Sequence, residues 1–198
     1  MAFIRSFSDL RALTLLVASL LLGHAQITMA AMDQDQLVDL MQSGGAVLMI
    51  RHALAPGTGD PDHFKIGDCS TQRNLNEEGR RQASDIGDWL RVHGIQQARV
   101  YSSQWCRCLD TARLLKMGSV NELPALNSFY ERPEDREPNL AALRAFIVEN
   151  TQRGQLIILV THQVTISGIT NEWTDSGHAK LVRLDGDGHI VLQGSLAF

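Results

Sequence analysis

The sequence predicts an α/β fold, a three-layer α/β/α sandwich around a mostly parallel central sheet. Two observations carry this. Ala46–Ile50 and Leu156–Val160 are uninterrupted apolar runs, too short for buried helices and of the kind required by strands covered on both faces. Segments with helical apolar spacing lie before, between and after them, so helices and strands alternate along the chain.

At 198 residues with 44% hydrophobic content, the chain can bury one good core, and a single domain over 31–198 is expected. Residues 1–30 read as a signal peptide. Arg5 and Arg11 form a positive start, Leu13 to Leu22 is apolar but for Thr14 and Ser19, and Thr28-Met29-Ala30 supplies small residues at the cleavage position. The apolar run is too short to span a bilayer, so cleavage, with no stable membrane anchor afterwards, and a periplasmic or secreted location are expected. Without Arg5, Arg11 and Asp9, 16 basic residues stand against 21 acidic ones, a net charge of −5. That acidity, with no basic run, argues against nucleic acid as a partner. Any bound anion must be held by a local pocket.

Export places Cys69, Cys106 and Cys108 in an oxidising compartment. On a helix Cys106 and Cys108 point to different faces, so the bridge runs from Cys69 to one of them, and Cys69–Cys106 is the expected pair.

Asp33 starts the first helix, with Gln36 as its capping-box partner and Gly44 as its stop. After the strand Ala46–Ile50, a Gly-, Pro- and Asp-rich loop runs from Ala53 to Asn76, tied down by Cys69. Asn76 caps a helix on which Ala83, Ile86, Trp89, Leu90 and His93 share a face, and Gly94 ends it. Ala98–Ser102 reads as a strand, Ser103 as the cap of a helix to Lys116, and Asn139 as the cap of another that Gly154 ends. Leu156–Val160 is the next central strand, Val164–Thr170 turns back as a helix, and Ala179–Leu184 and His189–Gln193 form a closing hairpin around Asp185-Gly186-Asp187-Gly188.

Both central strands deliver a histidine at their carboxyl ends, Arg51-His52 and Thr161-His162, where ligands collect in open α/β sheets. Arg107 lies near the start of a helix that follows a third strand, where backbone donors already favour anions. Taken singly, Arg51 is equally a surface ion pair and Arg107 a solvent-facing arginine paired with Asp110 at i+3. Taken together, two guanidinium forks and two imidazoles at one sheet edge form an anion site suited to phosphate.

Four segments resemble the motifs of the histidine phosphatase superfamily. Arg51-His52-Ala53 is similar to its Arg-His-Gly opening, and Leu75-Asn76-Glu77-Glu78-Gly79-Arg80-Arg81-Gln82-Ala83 to its Leu-Thr-x-x-Gly-x-x-Gln-Ala segment. Ser103 to Ala112 resembles Ser-x-x-x-Arg-x-x-x-Thr-Ala, and Val160-Thr161-His162 the late strand and histidine. The resemblance implies a phosphoglycerate mutase-like fold and metal-independent hydrolysis of a small-molecule phosphomonoester, with no cofactor. His52 is then the nucleophile that becomes a phosphohistidine, its other ring nitrogen held by a backbone carbonyl, while Arg51, Arg107 and His162 hold the phosphoryl oxygens. Arg73 and Gln163 join them as substrate-binding residues. Among exported members the chain is similar in kind to lipopolysaccharide core heptose phosphate phosphatases, which implies a sugar or envelope phosphate.

Three departures stand out. Ala53 replaces the motif glycine; Gln163 follows His162 where the phytase-like branch has an Asp proton donor; Leu126-Asn127-Ser128 has Ser where the mutase-like branch has Glu. Glu131 is therefore the first candidate for the general acid, with Glu134 and Asp135 behind it. The alternative is a non-catalytic phosphate-binding protein on the same fold. A metal module of His52, His162 and His63 lacks ligand spacing, and His63, His93, His178 and His189 are expected to be structural or exposed.

Overall fold

A computed structural model describes residues 32–151 and 154–198. The apolar leader expected at residues 1–30 lies outside the described residues. Helix α1 (Gln34–Ser43) opens on Asp33, whose Oδ1 accepts from Gln36 N–H while Gln36 Oε1 accepts from Asp33 N–H, each at 2.9 Å. Two orphan donors of the first turn are thereby satisfied reciprocally.

Strand β1 (Ala46–Arg51), helix α2 (Glu77–Val92), strand β2 (Arg99–Ser102), helix α3 (Cys106–Leu115) and strand β3 (Val120–Glu122) follow. Helix α4 (Arg136–Asn150), strand β4 (Ile157–Thr161), helix α5 (Gln163–Thr170) and the hairpin β5 (Ala179–Leu184) and β6 (Ile190–Leu196) complete the chain. The sheet order is β3-β2-β4-β1-β5-β6, with the first four strands parallel and β5 and β6 antiparallel.

The central strands β1 and β4 are buried on both faces, as the apolar runs require. Ala46, Leu48 and Ile50 point with Ile158 and Val160 toward α1, α2 and α3. Their alternates Val47, Met49, Ile157 and Leu159 pack against Leu143 and Ile147 of α4 and Ile166 of α5. Every residue of β4 is buried. These are the three expected layers.

Four local expectations are corrected. Helix α3 begins after Trp105, not at Ser103, because the Ser103 hydroxyl is engaged elsewhere, as the site below shows. Helix α4 begins at Arg136 with Asp135 as its cap position, so Asn139 sits inside it; Pro138 is tolerated in the first turn, where its missing N–H would have had no partner. That helix ends at Asn150, ahead of Gly154. Finally, β3 is a short edge strand that no apolar pattern announces.

Helix α2 is brought close to the sheet's carboxyl edge by Gly79. A Cβ there would lie 2.0 Å from Leu54 O, so only glycine lets the helix meet the segment leaving β1. Asn76 Oδ1 accepts from Gly79 N–H at 2.8 Å and caps that helix as expected.

Candidate active site

The carboxyl ends of β1, β4 and β2 stand side by side, and backbone bonds carry the alignment past the sheet. His52 N–H donates to Thr161 O and Ser103 N–H to Val160 O, both at 2.9 Å. Arg51, His52, Arg107 and His162, which the sequence places at separate strand ends, thus line one cavity of about 410 Å³. Arg73, Gln163 and Glu131 line it too. Glu134 and Asp135 do not; they pair with Arg132 on the surface. His63, His93, His178 and His189 also lie outside it.

His52 is only 2% exposed. Its Nδ1 is 2.8 Å from Ala53 O. A carbonyl can only accept, so Nδ1 carries the proton and Nε2 keeps its lone pair. Burial first, and then the charge of Arg107, outweigh that carbonyl's opposite pull and push the His52 pKa down from 6.5 to about 3. The ring is therefore neutral across the physiological range. Ala53 N–H donates to Thr111 Oγ1 (3.0 Å), and the Thr111 hydroxyl donates to Arg107 O (2.7 Å), so one side chain ties the backbone beside His52 to the turn bearing Arg107.

His162, 4% exposed, has Nε2 at 2.8 Å from Ser103 Oγ and Nδ1 at 3.5 Å from Arg107 Nη2. A guanidinium only donates, so Nδ1 is the acceptor side, and Nε2–H donates to Ser103 Oγ. Ser103 in turn donates to Asn127 Oδ1 at 3.2 Å. Burial, then Arg107 and His52, hold His162 well below its ordinary pKa. The Cys108 thiol lies 3.5 Å from the same Nε2, and burial pushes its pKa up to about 12, so it remains a neutral thiol.

Arg107 is buried and does not pair with Asp110, which instead meets Arg80 at 2.9 Å. Its partner is Asp60, at 2.8 Å and 3.1 Å from Nη1. Asp60 also accepts from Arg73 N–H and Trp105 Nε1–H, both at 3.0 Å. Burial pushes the Asp60 pKa up, but the hydrogen bond and charge of Arg107, with the Arg73 and Trp105 donors, carry it below the usual carboxylate value. Arg51 donates through Nη1 to Thr174 O at 3.0 Å, and its guanidinium carbon stands 5.8 Å from the centre of the Trp173 ring. The buried Nε atoms of both Arg51 and Arg107 find no acceptor among the described residues. Buried polar groups left this way call for a partner, and an anion in the cavity can supply it.

The long loop after β1 is closed by the expected Cys69–Cys106 disulfide and by Cys106 N–H donating to Gln72 Oε1 at 2.9 Å. Arg73 spends Nε on Gly59 O (2.7 Å) and Nη1 on Ala55 O, so it holds the loop while lending charge to the cavity. Gln163 donates to Ser167 Oγ of its own helix at 2.8 Å. Glu131 is exposed at the rim, and its Oε1 accepts from Asp60 N–H at 2.8 Å. Gly59 permits that contact, since a Cβ would come within 2.7 Å of the carboxylate, at a φ of +68°.

Sequence reasoning missed Asp60, Ser103 as a partner of His162, Thr111, Tyr130 and Trp173. The signals were weak: a lone acid between Gly59 and Pro61, and an aromatic in the polar stretch from Asn171 to Ser176.

Residues 47–132 match the family model of the histidine phosphatase superfamily, branch 1. No curated protein sequence matches the chain. Among solved structures the fold is similar to that of the protein histidine phosphatase SixA complexed with tungstate, with a TM-score of 0.56 and 15% identity over 77% of this chain and 96% of the other. It is also similar to a mycobacterial glucosyl-3-phosphoglycerate phosphatase complexed with VO3, with a TM-score of 0.54 and 15% identity over 74% and 96% of the chains. A phosphoserine phosphatase variant from Entamoeba histolytica bound to phosphoserine gives a TM-score of 0.51 and 15% identity, over 76% and 95%. At these identities the likeness concerns the fold.

Proposed function

We propose that the chain is a member of the histidine phosphatase superfamily, whose family model matches residues 47–132, and that it is a phosphomonoester hydrolase acting through a phosphohistidine on His52. The observation that carries this is the Nδ1 contact of His52 with Ala53 O at 2.8 Å, which leaves Nε2 as an unprotonated nucleophile in a cavity lined by four arginines and two carboxylates.

The Nε2 lone pair attacks phosphorus in line, the N–P bond forms, and the ester P–O bond breaks with its electron pair going to the departing oxygen. Glu131 protonates that oxygen. Water then attacks the phosphohistidine, returns a proton to the acid, and releases phosphate with His52 restored. Arg51 and Arg107 take the equatorial oxygens on the donors that the protein leaves free, and His162, whose Nε2–H is held by Ser103, completes the cradle when the bound dianion draws a proton onto Nδ1. Arg73 adds charge from the loop wall, and Gln163 lines the ester side. The metal-independent route draws every group from the chain itself.

The disulfide supports an oxidising compartment, in keeping with periplasmic or secreted placement, and the resemblance to heptose phosphate phosphatases favours a sugar or envelope phosphate as substrate. The test is turnover of p-nitrophenyl phosphate and a phosphomonoester panel from acid to neutral pH, with acid-labile phosphate trapped on His52 of the wild type and absent from H52A. Lack of both turnover and trapped phosphate rejects the hydrolase. If wild type is inert and H52A binds phosphate equally well, the protein is a phosphate-binding member of the fold.

A further inference from the structure

Of the charged residues in the six strands, only Lys180 is buried, at 6% exposure. It stands in β5 opposite Met49 of β1 and Ser195 of β6, and Met49 and Val182 on the same face belong to the apolar layer against α4 and α5. A lysine in such a layer is unusual. Its ammonium donates to Glu172 Oε2 at 2.5 Å and to Ser195 Oγ at 2.7 Å. An apolar side chain of similar length would fill this space without desolvating a charge, and such replacements of buried ions often leave stability unchanged or raise it. The charge is explained by what it holds.

What it holds is the connection of residues 171–178, which leaves α5 and runs past the phosphate cavity into β5. Asn171, at a φ of +58°, turns the chain out of the helix. Glu172 is then tied at two points. Its side chain meets Lys180, and its carbonyl accepts from the Ser167 hydroxyl at 2.6 Å, which itself accepts from Gln163 Nε2 at 2.8 Å. The next two residues meet Arg51, whose guanidinium stands against the Trp173 ring and donates from Nη1 to Thr174 O at 3.0 Å. Because a guanidinium is planar, a fixed Nη1 and a fixed face also fix the direction of Nε–H. That buried donor is the one without an acceptor among the described residues.

We propose that Lys180 and Glu172 are a positioning pair for Arg51: by pinning the connection at Glu172 they hold Trp173 and Thr174 where the arginine is aimed at the phosphate. This rests on the reading of the cavity as a phosphate site and adds the residues that set the aim of its first clamp.

The test measures binding of inorganic phosphate by calorimetry, with kcat and KM for p-nitrophenyl phosphate, in wild type, K180M and E172Q, and urea denaturation of each. Both variants should weaken phosphate binding about tenfold and raise KM by a similar factor, with kcat changed less. The urea midpoint of K180M should stay at the wild-type value, since Glu172, half exposed, returns to water. The pair of variants separates positioning from charge. Through the field alone, loss of a cation weakens anion binding but loss of a carboxylate strengthens it. Tighter phosphate binding by E172Q, or unchanged affinity in K180M, therefore overturns the proposal. NMR of arginine-labelled protein reads the aim directly: the Arg51 Nε–H signal, assigned by its absence from R51K, should shift on adding phosphate to wild type and shift little in E172Q. Equal shifts in the two overturn the proposal, and this comparison decides even where K180M does not fold. If no ester is turned over, the hydrolase reading fails separately, and the phosphate titrations and spectra still decide the role of Lys180 and Glu172.

Discussion

Arg107 and Asp60 meet at 2.8 Å in the cavity wall, with side-chain exposures of 4% and 5%. The carboxylate takes Nη1 and His162 Nδ1 faces Nη2 at 3.5 Å, so the buried Nε, without an acceptor among the described residues, is the donor left for an anion. Asp60 therefore positions the arginine rather than touching the reacting atoms. D60A strands a buried cation, which should lower stability by about 3 kcal/mol and depress kcat/KM, with D60N milder on both counts. The Asp60 pKa is lower folded than unfolded, so its contribution is present above the unfolded carboxylate range and lost as pH falls through the folded value. Urea denaturation should show wild type and D60N separated at neutral pH and converging in strong acid. Equal stability at neutral pH would contradict this role.

His52 titrates far below an ordinary imidazole. Because the unfolded ring takes a proton near pH 6.5 and the folded one does not, stability should fall as pH drops from about 6.5 toward the folded value. H52N should flatten that slope. NMR of histidine-labelled protein should find His52 in its Nδ1–H tautomer and neutral at about pH 5, a point at which a free imidazole is mostly charged. Adding phosphate should raise the His162 pKa, since a bound dianion opposes the Arg107 charge that, after burial, holds it down.

Reduction of Cys69–Cys106 opens a loop of 37-residue separation. In the chain-entropy view that bridge is worth about 4 kcal/mol. It also joins the loop bearing Asp60 and Arg73 to the residue before Arg107. Reductant, or C69S/C106S, should therefore lower the denaturation midpoint and raise KM together. A fall in stability with KM untouched would separate the bridge from the cavity.

E131Q should slow esters of poor leaving groups by about a hundredfold and p-nitrophenyl phosphate far less, because only a basic departing oxygen needs the proton. Uniform effects across a leaving-group series measured at constant pH would remove Glu131 from the acid's role.

The strand ends were legible because a two-sided apolar run announces both a buried strand and where it stops; that places Arg51, His52 and His162 at strand ends, and their reading as one site came from their company. Arg107 needed the same companions. Asp60 was hidden because its value depends on a loop folding back over α3, a contact that local pattern does not encode. Ser103 misled because a serine before a helix is a good cap, but here a buried imidazole and Asn127 claim its hydroxyl first. The strand Val120–Glu122 carries almost no apolar signal and exists because β2 offers it a parallel edge.

Ala53 acts at the site only through its main chain: its carbonyl orients His52, its amide is held by Thr111, and its methyl is fully buried. What is inherited at position 53 is thus a pair of peptide dipoles, which glycine or alanine can supply alike. Alanine in place of the glycine of the motif it resembles leaves no mark on His52. Substitution at 111 would be another matter, since loss of that one hydroxyl frees the backbone beside His52 and the turn bearing Arg107 at once.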